Sequence, residues 1–122
     1  MTTGFSMHLE VIAEPFEDSP SLLSIRAMVQ QYGVAVVSSL LVKEGDKYFN
    51  RIFFIPPEGE EFFQDKRHLF RMGGEAKQVS PAGVRHVFSY RGWNILLIAC
   101  YDMRFPVWCR NRANEYDLLI DV

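Results

Sequence analysis

The pattern of apolar and polar positions predicts one amphipathic helix near the start of the chain. Ser19 or Ser21 can cap the helix at its N-terminus, and Gly33 ends it. Residues before Ser19 mix Pro15 and Asp18 with scattered apolar positions, so we expect a loop there. The apolar positions that recur with helical spacing are Leu22, Leu23, Ile25, Met28, Val29 and Tyr32.

Apolar, β-branched and aromatic segments that follow the helix predict two hairpins and a final strand. The first hairpin turns at residues 44–46 and the second at residues 91–92. Pro106 suits the first turn of a helix, which we expect to continue over residues 107–116. Residues 65–81 are polar and irregular, as functional loops often are. The predicted strands are residues 34–42, 48–55, 61–64, 85–90, 93–99 and 117–122.

Composition restricts the class of protein. The chain has 122 residues, 48% of them hydrophobic and 23% charged, which is typical of one globular domain or part of one. Its formal net charge of −2 gives no electrostatic support for nucleic-acid binding. The longest apolar stretch, residues 95–100, is far shorter than the ~20 residues that cross a bilayer. The N-terminus does not resemble a secretory signal, and two cysteines favour a reducing compartment, so we expect a soluble cytoplasmic protein.

Cys100 follows the apolar segment 95–99 and precedes a turn that leads to Pro106. Catalytic groups often gather at the carboxyl ends of strands. The positive end of a following helix and a nearby lysine would favour the thiolate, and the Tyr101 N–H could meet a developing oxyanion. The alternative interpretation is that Cys100 packs as a small hydrophobic residue at the end of the strand, as most free cysteines do.

Other chemically active side chains carry weaker signals when each is considered alone. Cys109, nine residues after Cys100, lacks C-x-x-C spacing and is expected to pack. Lys66 follows a predicted strand, and it either faces a reacting oxygen or belongs to a solvated charged loop. No metal-ligand spacing surrounds His68, so we expect it to bond to backbone. Glu75 follows a glycine pair, where a carboxylate is usually exposed.

Two segments of the chain carry a family resemblance when they are considered together. They are Asp65-Lys66-Arg67-His68-Leu69-Phe70 and Cys100-Tyr101-Asp102-Met103-Arg104-Phe105-Pro106-Val107-Trp108. Cys100 follows Lys66 by 34 residues. In this order and spacing the segments resemble the carbon–nitrogen hydrolase (nitrilase) superfamily, most closely its omega-amidase-like branch. The resemblance extends over the whole chain and implies an α+β fold, in which residues 1–122 form one partial domain, a part of a four-layer α-β-β-α sandwich.

The resemblance implies a role for each matching position. Cys100 matches the nucleophile and Lys66 the lysine that stabilises the oxyanion. Glu75 lies where the family has a second glutamate, which supports the lysine and the attacking water. No metal or organic cofactor is implied. The residues expected to support the oxyanion or brace the turn after the nucleophile are Tyr101, Asp102 and Arg104.

The sequence departs from the family pattern at both ends. The family's general base is a glutamate in a P-E-M-F-like segment, followed by residues similar to 2–7, yet Met1 stands where that segment is expected. Glu10 and Glu14 lie on the wrong side of residues 2–7 to replace the base. The first strand and helix, and the elements that follow Val122 in the family, are also expected to be missing. We therefore expect this chain alone to be inactive.

For the complete enzyme, the resemblance implies hydrolysis of a small (omega-)amide to a carboxylate and ammonia through a cysteine thioester. Open strand edges and apolar faces in a partial sandwich predict a homo-oligomer, with no nucleic-acid or membrane partner. Two alternatives stay open. One is a non-catalytic, degenerate nitrilase-like module for association or binding. The other is a thiol redox protein in which Cys100 and Cys109 interconvert with a disulfide.

Overall fold

The computed structural model describes residues 4–122. Its α-helices are α1 (Leu9–Ile12), α2 (Pro20–Tyr32) and α3 (Pro106–Cys109). Its strands are β1 (Glu14–Pro15), β2 (Val36–Glu44), β3 (Lys47–Ile55), β4 (Phe62–Asp65), β5 (Val87–Tyr90), β6 (Trp93–Ile98) and β7 (Leu118–Asp121). Short 3₁₀ helices occupy Arg71–Gly73, Glu75–Lys77 and Cys100–Arg104. Within this part of the chain, no helix has the length and apolar character that crossing a membrane requires.

The strands form two sheets. Sheet A has the order β1-β2-β3-β4, with β1 parallel to β2 and the other pairs antiparallel. Sheet B has the order β5-β6-β7, with an antiparallel β5–β6 hairpin and a parallel β6–β7 pair. The parallel register pairs Ile98 with Asp121, so the ends of β6 and β7 lie at the same edge of sheet B. Both predicted hairpins are therefore confirmed.

Helix α2 begins and ends at residues that the sequence identified. The Ser19 hydroxyl accepts the Leu22 N–H at 3.1 Å, which satisfies a backbone donor that the helix leaves unpaired. Gly33 follows the last turn with φ of +63°, a left-handed conformation that glycine adopts without a Cβ clash. The buried face of α2, formed by Leu22, Ile25 and Val29, packs on sheet A.

Strand β3 supplies apolar side chains to both faces of sheet A. Phe53 and Ile55 belong to the core under α2, whereas Ile52 and Phe54 belong to the core shared with sheet B. This alternation follows from the two-residue period of a strand. Strand β3 therefore contributes buried side chains to both cores. Burial of each large apolar side chain stabilises the fold by about 1.5–3 kcal/mol. The layer order is α2, sheet A and sheet B.

Two of the predicted elements were wrong. The segment before Ser19 contains α1 and the two-residue strand β1 rather than only loop. The helix expected over residues 107–116 ends at Cys109. The reason is local: the Asn111 side chain donates to the Tyr116 carbonyl at 2.7 Å and accepts the Tyr116 N–H at 3.3 Å. Asparagine thereby offers the backbone an alternative to helical hydrogen bonds.

Candidate active site

Cys100 lies at the carboxyl end of β6, where the chain leaves the core. The preceding residue, Ala99, is buried, while Cys100 itself is exposed and begins a 3₁₀ helix. Its φ of +46° lies in the left-handed region, which costs a non-glycine residue about 1–3 kcal/mol. Strain of this kind persists only where the surroundings hold it. The predicted position of Cys100, on a sharp turn at the end of an apolar strand, is confirmed.

Lys66 and Glu75 form a buried ion pair in the irregular segment after β4. Lys66 is 2% exposed and Glu75 is 0% exposed, and the Lys66 Nζ lies 2.8 Å from the Glu75 Oε2. The Glu75 carboxylate also accepts the Phe70 N–H at 2.6 Å and the Asn50 side-chain amide at 3.0 Å. Considered alone, Glu75 is expected to be exposed, and a solvated surface charge is the favoured interpretation of Lys66. Both surface interpretations were wrong.

One buried carboxylate, Asp102, connects the segment after Lys66 to the turn at Cys100. It accepts the His68 backbone N–H at 2.7 Å and contacts the His68 ring Nδ1 at 2.8 Å. The same carboxylate accepts the Ala99 N–H at 3.2 Å. Lys66 lies two residues before His68, and Cys100 directly follows Ala99. Bonds to an ionised group are stronger than neutral ones, so the connection fixes the two segments against each other.

Cys100 opens onto a surface cavity of about 670 Å³. Tyr101 lies in the first turn of the 3₁₀ helix, where backbone N–H groups have no acceptor within the helix. Arg104 is exposed, and its side chain makes no hydrogen bond or ion pair to residues 4–122. Of the two side chains expected to brace the turn, Asp102 makes hydrogen bonds to its neighbouring segments and Arg104 does not. Lys66 does not line this cavity. The lining residues are Phe70, Cys100, Tyr101, Met103, Arg104 and Asp121.

Two polar residues of this region were missed from the sequence. Asn50, buried in β3, holds Glu75. Asp121 lines the cavity onto which Cys100 opens. Burial raises the pKa of Asp121, as does the Asp102 charge, while the Cys100 N–H and the Lys66 charge lower it. A polar residue inside an apolar strand was the signal that could have identified both.

Cys109 and His68 occupy structural positions next to Asp102. The Cys109 thiol donates to the Asp102 carbonyl at 3.2 Å, and burial, with the Asp102 and Asp121 charges, raises the pKa of Cys109. The expected backbone bond of the His68 ring was wrong, because the ring contacts the Asp102 carboxylate and stacks on Phe105 at 3.7 Å between centroids. Across residues 4–122, no group of three or more His, Cys, Asp and Glu side chains is placed to hold a metal ion.

Comparison with known proteins agrees with the fold. The family model described as carbon-nitrogen hydrolase matches residues 1–121. The chain therefore belongs to the carbon–nitrogen hydrolase family, as the resemblance implied.

Three relatives define the match more closely. The omega-amidase YafV of Escherichia coli strain K12 is 36% identical over 121 residues, which are 99% of this chain and 46% of that protein. The 2-oxoglutaramate amidase of Bacillus subtilis strain 168 is 28% identical over 93% of this chain and 45% of that protein. The structure of XC1258 from Xanthomonas campestris, a CN-hydrolase superfamily protein with an arsenic adduct in its active site, superposes with a TM-score of 0.88. That match has 36% identity and covers 98% of this chain and 47% of XC1258. The chain thus spans about half the length of the relatives it matches.

Proposed function

We propose that Cys100 is the nucleophile of an amidase that hydrolyses a small omega-amide to a carboxylate and ammonia. The single observation that supports this is the Asp102 connection, which holds the segment of Lys66 against the turn of Cys100. The family and the amidase relatives support the reaction class. The alternative of a thiol redox pair loses support, because Cys109 is held as a thiol against the Asp102 carbonyl.

The proposed reaction has two halves. The Cys100 sulfur attacks the amide carbonyl carbon, the thiol proton passes to the leaving nitrogen, and ammonia departs to leave a thioester. Water then attacks the thioester carbonyl, which releases the carboxylic acid and restores the thiol. Each half passes through a tetrahedral oxyanion, so a donor aimed at that oxygen accelerates both.

Lys66 is the proposed cationic donor to that oxyanion, with the Tyr101 N–H as the backbone donor. Glu75 holds the Lys66 ammonium in one place through the 2.8 Å contact. Its own position is fixed by Phe70 and Asn50, so the donor is preorganised before an amide arrives. The Lys66 charge also lowers the pKa of Asp121, which lines the cavity with Cys100.

We propose that residues 1–122 alone do not catalyse the complete reaction. A general base must take the Cys100 proton, and Glu75 is already engaged by Lys66, Asn50 and Phe70. Because these three donors occupy the Glu75 carboxylate, it is not free to take the Cys100 proton. The resemblance assigns the base to another glutamate, which would have to come from outside the matching positions of this chain.

The purified 122-residue chain, mixed with 2-oxoglutaramate, is expected to release no more ammonia than its Cys100→Ala variant. The reason is that loss of one member of a catalytic unit removes most of the activity of the whole unit. An enzyme-coupled ammonia assay makes the measurement, with Cys109→Ala as the matched cysteine control. Ammonia release that Cys100→Ala abolishes and Cys109→Ala preserves would show that the chain is competent.

The chain is also proposed to self-associate and to act in the cytoplasm. Met28 and Tyr32 lie one turn apart on α2 and are 47% and 67% exposed, which leaves apolar surface uncovered. We expect sedimentation velocity to show a species larger than the monomer and Met28→Lys to shift it toward the monomer. Ala27→Lys is the charge control, because Ala27 is exposed on the same helix but lies about 100° around it from Met28. A wild-type chain that sediments only as a monomer would contradict self-association.

A further inference from the structure

The His68 ring is a polar group beside the candidate site that the proposed mechanism does not use. Its Nδ1 lies 2.8 Å from the Asp102 Oδ1, and the ring stacks on Phe105 with 3.7 Å between centroids. Asp102 lies within the 3₁₀ helix that Cys100 begins, and Phe105 directly follows that helix. His68 therefore contacts the region of the nucleophile at two points, from a position two residues after Lys66.

The contacts of Asp102 are divided between its two carboxylate oxygens. Oδ1 accepts both the backbone N–H and the ring Nδ1–H of His68, at 2.7 Å and 2.8 Å. Oδ2 accepts the Ala99 N–H at 3.2 Å and the Arg67 N–H at 3.4 Å. Because an ionised carboxylate can only accept, the ring nitrogen that faces it is the one that carries the proton. Two donors from one residue thus fix Oδ1, and with it the direction in which Oδ2 faces the residue before Cys100.

We propose that His68 is a positioning residue that acts through Asp102 to hold the turn of the nucleophile against the segment of the oxyanion donor. The inference rests on the proposed function in taking Cys100 and Lys66 for these two roles. Asp102 is 1% exposed, so water does not readily replace a donor that its carboxylate loses. A small shift of one reacting group relative to another costs a large factor in rate. Loss of the ring donor should therefore slow a reaction that needs both groups in place.

The test compares two reactions of the Cys100 thiol in the 122-residue chain. Acylation by p-nitrophenyl acetate passes through an oxyanion and is accelerated by the donor. Methyl methanethiosulfonate instead transfers a methylthio group to the sulfur, which forms a disulfide, releases methanesulfinate and involves no oxyanion. The ratio of the two rates therefore reports the relation of donor to nucleophile and cancels changes in the thiol itself. Peptide mass mapping verifies that Cys100 is the residue modified in both reactions.

His68→Phe keeps a ring that can stack on Phe105 but removes the donor, and we expect it to lower the ratio about tenfold. His68→Leu, a smaller side chain without a donor, should give the same loss. His68→Asn places an amide N–H close to the position of Nδ1 and is expected to recover most of the wild-type ratio. His86→Phe is the matched control, because His86 is exposed just before β5 and its replacement should keep the ratio.

Hydrogen exchange at the Ala99 N–H, which the Asp102 Oδ2 accepts, is a second measurement that needs no modification of the thiol. This exchange should be about tenfold faster in His68→Phe and His68→Leu, and near the wild-type rate in His68→Asn. Wild-type exchange in both donor-free variants would overturn the proposal, as would a wild-type ratio in both while Lys66→Met/Glu75→Gln lowers it. A wild-type ratio in the Lys66 variant contradicts the proposed function instead, and the exchange rates then decide the role of His68.

Discussion

Replacing Glu75 by alanine is expected to destabilise the fold by about 3–5 kcal/mol, because it leaves the Lys66 ammonium buried without its partner. The Phe70 N–H and the Asn50 amide would lose their acceptor in the same change. The free energy of unfolding in urea measures the effect. A loss of this size is a large part of the stability of an ordinary domain.

The matched control for this change is Glu60→Ala, which removes an exposed carboxylate and should stay within about 0.5 kcal/mol of wild type. The double variant Lys66→Met with Glu75→Gln removes both charges and is expected to be more stable than Glu75→Ala. Equal unfolding midpoints for Glu75→Ala and Glu60→Ala would contradict the description of Lys66 and Glu75 as a buried pair.

Loss of the Lys66 charge is expected to slow acylation of Cys100 by about 10²–10³-fold, the usual cost of removing one oxyanion donor. With an activated ester such as p-nitrophenyl acetate, the leaving group departs without protonation and buffer base can take the thiol proton, so the step does not require a general base from the protein. The rate of p-nitrophenolate release in a single turnover measures it. The Lys66→Met/Glu75→Gln variant is used, because it leaves no buried charge unpaired.

The matched control for acylation is Lys77→Met, which removes an exposed cation from the same irregular segment. It should acylate at the wild-type rate. Acylation at the wild-type rate in the Lys66 variant as well, with its fold intact by thermal melting, would remove Lys66 from the proposed oxyanion site.

Local signals in the sequence were sufficient for much of the fold. Helix α2 was predictable because the Ser19 cap and the Gly33 C-terminus act within one turn of the residues they affect. The hairpins followed from turn residues next to β-branched and aromatic runs. The helix predicted over residues 107–116 was wrong because a single side chain, that of Asn111, satisfies the backbone in another way.

The candidate site was predictable only in part, since its contacts join residues far apart in sequence. The end of the apolar segment 95–99 located Cys100, and the family resemblance selected Lys66 and Glu75 over their surface interpretations. The interaction of Asn50 with Glu75 depends on how β3 passes the irregular segment, and the position of Asp121 beside Cys100 depends on the parallel β6–β7 register. A polar residue in an apolar strand marks each position, but it does not identify the tertiary neighbour.

The most direct test of the central claim is to find which side chain of the 122-residue chain is acylated by p-nitrophenyl acetate. Peptide mass mapping is expected to place one acetyl group on Cys100, as a thioester that hydroxylamine removes. Cys109 should remain unmodified, because burial raises the pKa of its thiol and its sulfur donates to the Asp102 carbonyl. Acetyl groups on Cys109, or spread over surface lysines with Cys100 unmodified, would contradict the assignment of Cys100 as the nucleophile.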